Sequence, residues 1–242
     1  MRIRFRFTKL GKVRFTSHRD IARIWERSLR RAELPLAQTE GFSPRPKVHF
    51  GLALSTGHES LGEYIDVDLR EPEAESIDVA ALPALLTPLL PIGVDVEAAE
   101  VIDRKEPSLQ QAVTACTWQI EVPGIEPGAL VADVARMLAA PTLEITRERK
   151  GQATVDDIRP AIRSVEVVGP TPADRFESGS VLFAELATQP RGLRPAELLI
   201  ALVPPRQEGR VRRLEQWIEL DGARREPLPA ATRATPADRL VS

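Results

Sequence analysis

Residues Arg2 to Phe7 alternate strictly, with Ile3, Phe5 and Phe7 on one side and Arg2, Arg4 and Arg6 on the other. A period of two with aromatics predicts a half-buried strand. Lys9-Leu10-Gly11-Lys12 reads as a turn, and Val13 to Phe15 as a resumed extended segment. Ser17 followed by Asp20 resembles a capping box with aspartate in place of glutamate, so a helix is expected from His18 to about Glu33. At ~100° per residue, Ile21, Ile24, Trp25, Ser28, Leu29 and Ala32 share one face of that helix, and Arg19, Arg23, Arg27, Arg30 and Arg31 share the other. Pro35 helps to end it. The two-proline loop Gly41-Phe42-Ser43-Pro44-Arg45-Pro46-Lys47 precedes a strand over Val48 to Leu54. Ser55 to Gly62 reads as a turn region. Tyr64, Ile65, Val67 and Leu69 mark a further strand, with Asp66 and Asp68 expected to point outward. Ile77 to Leu90 is apolar enough for a helix, although Pro83 and Pro88 oppose one. Gly93 to Val101 reads as a strand.

The order β-α-β-β-α-β is that of a ferredoxin-like unit. Asp103 to Gln110 is polar and contains Pro107, so a linker is expected over 103–111. A second, less regular cycle follows. It has strands around Trp118-Ile120-Val122, at Leu143 to Arg147, Ile162 to Val168, Val181 to Ala187 and Val211 to Leu220. Its helices are Gly128 to Ala139 and Pro195 to Leu202, the latter with proline at a tolerated first-turn position. From Ala223 the composition turns to Ala, Arg, Pro and Thr, which predicts a disordered tail. The expected class is α+β: tandem ferredoxin-like domains at 1–102 and 112–222, then a tail at 223–242.

Composition sharpens this picture. The chain has 242 residues, a hydrophobic fraction of 43% and a formal net charge of −2. That balance hides an asymmetry. Residues 1–50 carry 13 lysines and arginines against 4 acidic residues, a net of +9, and the rest of the chain carries −11. A basic head on an acidic body steers an anionic partner toward one region. No apolar run reaches the ~20 residues that cross a bilayer, and the N-terminus lacks a secretory apolar segment, so a cytoplasmic location with no membrane partner is expected. Cys116 is the only cysteine, which excludes an intrachain disulfide, a four-thiolate zinc site and a thiolate-held iron–sulfur cluster within this chain. Walker A, GxGxxG, GxSxG and HExxH sequences are all missing, and no cofactor or metal is expected.

The arginine face of the first helix is the main candidate site. Guanidinium forks suit phosphates and stack on unpaired bases. The stiff loop adds Arg45 and Lys47, with His49 just beyond. Phe42 has two readings, a ring that stacks a base or a plug in a neighbouring core, and the plug is favoured. The expected nucleic-acid contacts are therefore Arg14, His18, Arg19, Arg23, Arg27, Arg30, Arg31, Phe42, Arg45, Lys47 and His49. The first strand lacks the aromatic pattern of an RNA-recognition motif, so RNA would meet the helix and loop instead of a stacking sheet. No catalytic set is identified. His18 is the candidate general base, because a helix N-terminus disfavours its protonation.

The run from Lys9 to Asp20, Lys9-Leu10-Gly11-Lys12-Val13-Arg14-Phe15-Thr16-Ser17-His18-Arg19-Asp20, resembles the opening K-x-G-x-x-R-F-x-S-H-x-D of the radical SAM-associated (radical SAM-linked) proteins, a domain of unknown function. Arg30-Arg31-Ala32, Pro35, the loop Gly41 to Lys47, Glu63-Tyr64-Ile65-Asp66-Val67, Val155-Asp156-Asp157-Ile158-Arg159-Pro160 and Leu193-Arg194-Pro195-Ala196-Glu197-Leu198 extend the resemblance over about residues 2–220. Arg19 and Arg45 depart from the pattern, standing where an apolar residue and a histidine are expected, so no histidine role carries over to position 45. The resemblance implies a domain fused to, or working beside, a cobalamin-binding radical SAM protein. This chain looks like the separate form, with the cluster held by another polypeptide. Three readings follow. The first is a non-catalytic accessory that binds transfer or ribosomal RNA and serves a radical SAM protein in trans. The second is an RNA-processing or RNA-modifying enzyme using His18, with Arg14 or Arg45 steadying the phosphate. The third is an adaptor whose arginines meet an acidic protein.

Overall fold

The computed structural model describes residues 1–149, 151–175, 177–220 and 222–229. It is a mixed α+β structure, mostly antiparallel sheet with few helices. The chain divides into two compact units, one of Met1–Ala112 with the segment from Ile218 onward, the other of Val113–Trp217.

In the first unit, β1 (Arg2–Lys9), β2 (Val48–Phe50), β3 (Glu59–Asp68) and β4 (Val96–Ile102) run in the order β4-β1-β3, with β2 also paired to β3 and every one of these pairings antiparallel. The helix α1 (His18–Arg31) begins where the capping signal put it. The Asp20 N–H donates to Ser17 Oγ at 3.2 Å, and the Ser17 hydroxyl donates to the Asp20 carboxylate at 2.7 Å. Its apolar face lies on the inward row of β1. Ile3, Phe5, Phe7, Trp25 and Leu29 are almost wholly buried, with the Trp25 ring 4.9 Å from Phe7 and 5.8 Å from Phe5.

The outward row of β1 is not solvated. Antiparallel register sets Arg2 opposite Asp68, Arg4 opposite Asp66 and Arg6 opposite Tyr64. Arg2 and Arg4 each form a two-pronged bond to the facing carboxylate, at 2.7 and 3.0 Å and at 2.8 and 2.9 Å. Arg6 bonds Glu97, the Tyr64 hydroxyl and Glu226 at 2.8, 2.7 and 2.5 Å. Arg4 and Arg6 are each only 1% exposed. Asp66 and Asp68, expected to face water, are buried as the partners of these guanidiniums. Gly62 makes room for this packing, since a Cβ there would stand 3.2 Å from the Arg6 guanidinium. Burial alone would lower the pKa of Arg6, but the facing Tyr64, Glu226 and Glu97 hold it above its usual value.

Several local expectations change. Val13 to Phe15 is not extended; Gly11–Phe15 is a 3-10 turn entered through Gly11 at φ +66°. The turn expected over 55–62 already includes the start of β3. The apolar stretch from Ile77 yields only α2 (Leu82–Leu86) between short 3-10 turns, because Pro83 sits in its first turn and Pro88 falls in the turn that follows. The expected linker packs on the unit. Glu106 reaches Arg4 at 3.4 Å, and Leu109, in α3 (Leu109–Ala112), is buried with Tyr64. The predicted disorder from Ala223 does not hold for its first residues. β11 (Ala223–Arg225) pairs with Ile218–Leu220, and Glu226 and Leu228 are buried. Positions 230–242 of the expected tail lie outside the described residues.

The second unit contains β5 (Val113–Pro123), α4 (Pro127–Ala139), a hairpin of β6 (Glu144–Arg149) and β7 (Gln152–Asp157), β8 (Ile162–Pro170), β9 (Gly179–Ala187), α5 (Pro195–Ile200) and β10 (Val211–Leu220). Its main strands run β10-β5-β9-β8, with β5–β9 and β9–β8 antiparallel. β7 is new relative to the sequence reading. No helix among the described residues is long and apolar enough to cross a membrane.

Candidate nucleic-acid interface

Helical spacing decides which arginines converge. With Ile21, Trp25 and Leu29 turned inward, Arg19, Arg23, Arg27, Arg30 and Arg31 project from the opposite side of α1, spread over about a third of its circumference. All five are exposed. Arg23 lies 3.1 Å from Asp20 on the same helix, and among the described residues the other four have no ion-pair partner. Asp20 sits below its usual carboxylate range, through the Ser17 hydroxyl first and Arg23 second. The result is a stripe of exposed guanidiniums along about 20 Å of helix, estimated from the rise per residue.

The loop expected over 41–47 is the tip of a two-stranded arm. The Ala37 N–H donates to Asp68 O, Lys47 N–H to Ala37 O and Thr39 N–H to Arg45 O, each at 2.8 Å. The Arg45 N–H donates to Thr39 Oγ1 at 3.0 Å and closes the tip. Arg45 is exposed and Lys47 half-buried. Phe42 is fully exposed, which overturns the favoured reading of a core plug. His49 leaves the arm for β2, where its Nε2 lies 3.5 Å from Asp68, so it joins the Arg2–Asp68 pair.

The remaining candidates meet at the start of α1. Arg14 lies 4.6 Å from the centroid of the Phe15 ring and 3.5 Å from Glu59. His18 packs edge-on against Phe50 at 5.2 Å, at the mouth of a small recess also lined by Lys9, Glu63 and Tyr64. The structure thus unites five arginines on one face, places Arg14 and His18 at the head of that helix, mounts Phe42 and Arg45 on the arm tip, and sets His49 beside the Asp68 carboxylate.

The chain matches one family over residues 2–195. It belongs to DUF2344, the uncharacterized proteins conserved in bacteria. No curated protein matches it. In this DUF2344 chain Lys9, Gly11, Ser17 and Asp20 of the Lys9–Asp20 motif have structural tasks. The buried Lys9 ammonium donates to the carbonyls of Arg14 and Thr16 at 3.2 and 3.0 Å, gathering the turn. Gly11 takes the left-handed backbone and donates its N–H to Glu59 at 2.9 Å. Ser17 and Asp20 start the helix. Lys9 and Phe15 stand in the motif read from the sequence, and Gly11 marked the turn, but neither they nor Glu59 were given a role there.

The two later motifs of the DUF2344 chain also meet, in the second unit. Arg147 reaches Asp156 at 3.3 Å and Glu197 at 2.8 Å, and Arg191 pairs with the same Asp156. Arg147, Asp156 and Arg191 border a cavity of about 300 Å³. Asp157 accepts the backbone N–H groups of Leu143 and Arg159, which hold its carboxyl below the usual range.

Proposed function

We propose that this protein is a non-catalytic RNA-binding accessory of a separate radical SAM protein, and that the outward face of α1 is its RNA contact. The observation that carries the reading is the contrast in arginine use: Arg19, Arg27, Arg30 and Arg31 stand exposed without ion-pair partners among the described residues, while Arg2, Arg4 and Arg6 are consumed by carboxylates. Exposed guanidiniums at helical spacing match the phosphates of a nucleic-acid strand, and their planar heads can also stack on bases. Arg45 on the closed arm tip adds a further cation. The radical SAM association rests on the motif resemblance, chiefly Lys9 to Asp20 and Gly41 to Lys47. These 242 residues hold one cysteine, too few for a thiolate-held cluster, so the reading assigns the cluster to the partner, and a cytoplasmic setting fits such a pair.

We also propose a tandem ferredoxin-like architecture. The strand order β4-β1-β3-β2 in the first unit and β10-β5-β9-β8 in the second both fit that pattern, with the β6–β7 hairpin as an insertion. The link from that architecture to RNA is analogy of fold and adds little.

The test is binding of transfer and ribosomal RNA at two salt concentrations. Five phosphate contacts to a single strand predict a loss of about 100-fold in affinity between 50 and 200 mM salt. No binding at the lower concentration would defeat the proposal. Co-purification with a radical SAM protein that survives nuclease tests the partner.

A further inference from the structure

We infer that the Arg14–Phe15 pair at the head of α1 is a stacking platform for an unpaired base, so that the RNA held by the arginine face is single-stranded there. The inference rests on the RNA reading above and narrows its substrate class.

Phe15 is 62% exposed, although the backbone that carries it is tied down by several hydrogen bonds. The carbonyls on either side of it, those of Arg14 and Thr16, both accept from the buried Lys9 ammonium. The Arg14 carbonyl also accepts from the Gly57 N–H at 2.8 Å, and the Thr16 N–H donates to Val13 O at 2.9 Å. The fully buried Glu59 carboxylate fixes the entry of the turn through the Gly11 N–H. Two buried charged groups thus help to hold a turn that carries an aromatic ring facing water. The Arg14 guanidinium rests over that ring at 4.6 Å, and Phe15 nonetheless stays 62% exposed. A ring so mounted loses little freedom when a base settles on it, and stacking on aromatics tolerates any base. Phe15 precedes the Ser17 cap by two residues, so a strand stacked there would run directly onto the stripe that begins at Arg19. Phe42, fully exposed on the closed arm tip, is a second ring of the same kind.

A duplex keeps its bases stacked on each other and offers such a ring only its ends. Charge alone favours the duplex, whose phosphates are denser. The two contributions therefore oppose each other, and a comparison separates them. The experiment measures fluorescence anisotropy of a labelled 12-nucleotide mixed-sequence RNA and of its blunt duplex, at low salt, with the wild-type chain, Phe15→Ala, Phe15→Trp and the double substitution Phe15→Ala with Phe42→Ala. The wild type is expected to bind the single strand more tightly. Phe15→Ala should weaken single-strand binding at least about fivefold and leave duplex binding unchanged. Phe15→Trp should retain the preference, and the double substitution should abolish it. Equal or tighter binding of the duplex by wild type, or a Phe15→Ala variant that behaves as wild type or weakens both RNAs alike, would overturn the platform and leave the arginine reading standing. If neither RNA binds, the arginine reading falls and the platform with it.

Discussion

The β1 arginines and the α1 arginines lie within thirty residues of each other and have opposite fates. Arg2, Arg4 and Arg6 recur at every second position, so the strand turns them all to one side, and β3 arrives antiparallel with Asp68, Asp66 and Tyr64 in direct register. Each guanidinium is matched before solvent or a ligand can reach it. Arg19, Arg23, Arg27, Arg30 and Arg31 follow helical spacing behind an apolar face, and nothing among the described residues crosses over them to supply carboxylates. Residue type therefore says little about role. A non-local strand register makes one set of arginines part of the core, and the lack of such a register leaves the other free for a partner.

Removing one member of a matched pair should hurt most. Arg4→Ala leaves Asp66 buried without its counter-ion and is expected to cost about 3–5 kcal/mol in urea unfolding. Replacing both, as Arg4→Met with Asp66→Leu, should recover most of that loss, because apolar side chains of similar size avoid the desolvation penalty. A mild effect of Arg4→Ala alone would break the contrast from the buried side. The exposed side predicts the reverse. Arg23→Glu with Arg27→Glu should leave unfolding within about 1 kcal/mol of wild type, two surface changes of the usual size, while RNA affinity collapses.

A smaller effect distinguishes the two sets by pH. Burial pushes the Asp68 carboxyl up, but the bond to Arg2, the charge of Arg2 and the nearby His49 hold it below its usual value. A carboxylate with a lowered folded pKa stabilises the native state at neutral pH, and that contribution fades as pH falls through the folded value. Acid titration of the urea midpoint should therefore show a loss beginning below about pH 4, the ordinary range of an aspartate. Asp68→Asn should remove that part of the acid dependence, whereas substitutions at Arg27 or Arg30 should leave it unchanged.

Much of this was readable in the sequence wherever the signal was local. The α1 boundaries and its two faces followed from the cap at Ser17 and a period of 3.6. The alternation of β1 was equally plain, and yet the fate of its arginines was not, because Asp66 and Asp68 lie more than sixty residues away and only the strand register brings them opposite. The same distance hid the end of the chain. Glu226 reads as part of a low-complexity tail until Arg6 claims it. β7 lacked any apolar period, since all its described side chains but one are exposed and its partner strand alone defines it. In the candidate site, the arginine stripe was legible and the Phe15 platform was not. Three residues of apparent alternation, Val13 to Phe15, mimicked a strand, and the lysine that gathers the turn acts through the backbone, which leaves no pattern in side-chain chemistry.

On the proposed function, the α1 guanidiniums, and not the β1 ones, neutralise RNA phosphates. The slope of log affinity against log salt counts those contacts. Single Arg→Gln substitutions at 19, 23, 27, 30 and 31 should each flatten the slope by about 0.7, the increment for one phosphate of a single strand. A slope that stays at its wild-type value when all five are replaced would contradict the account.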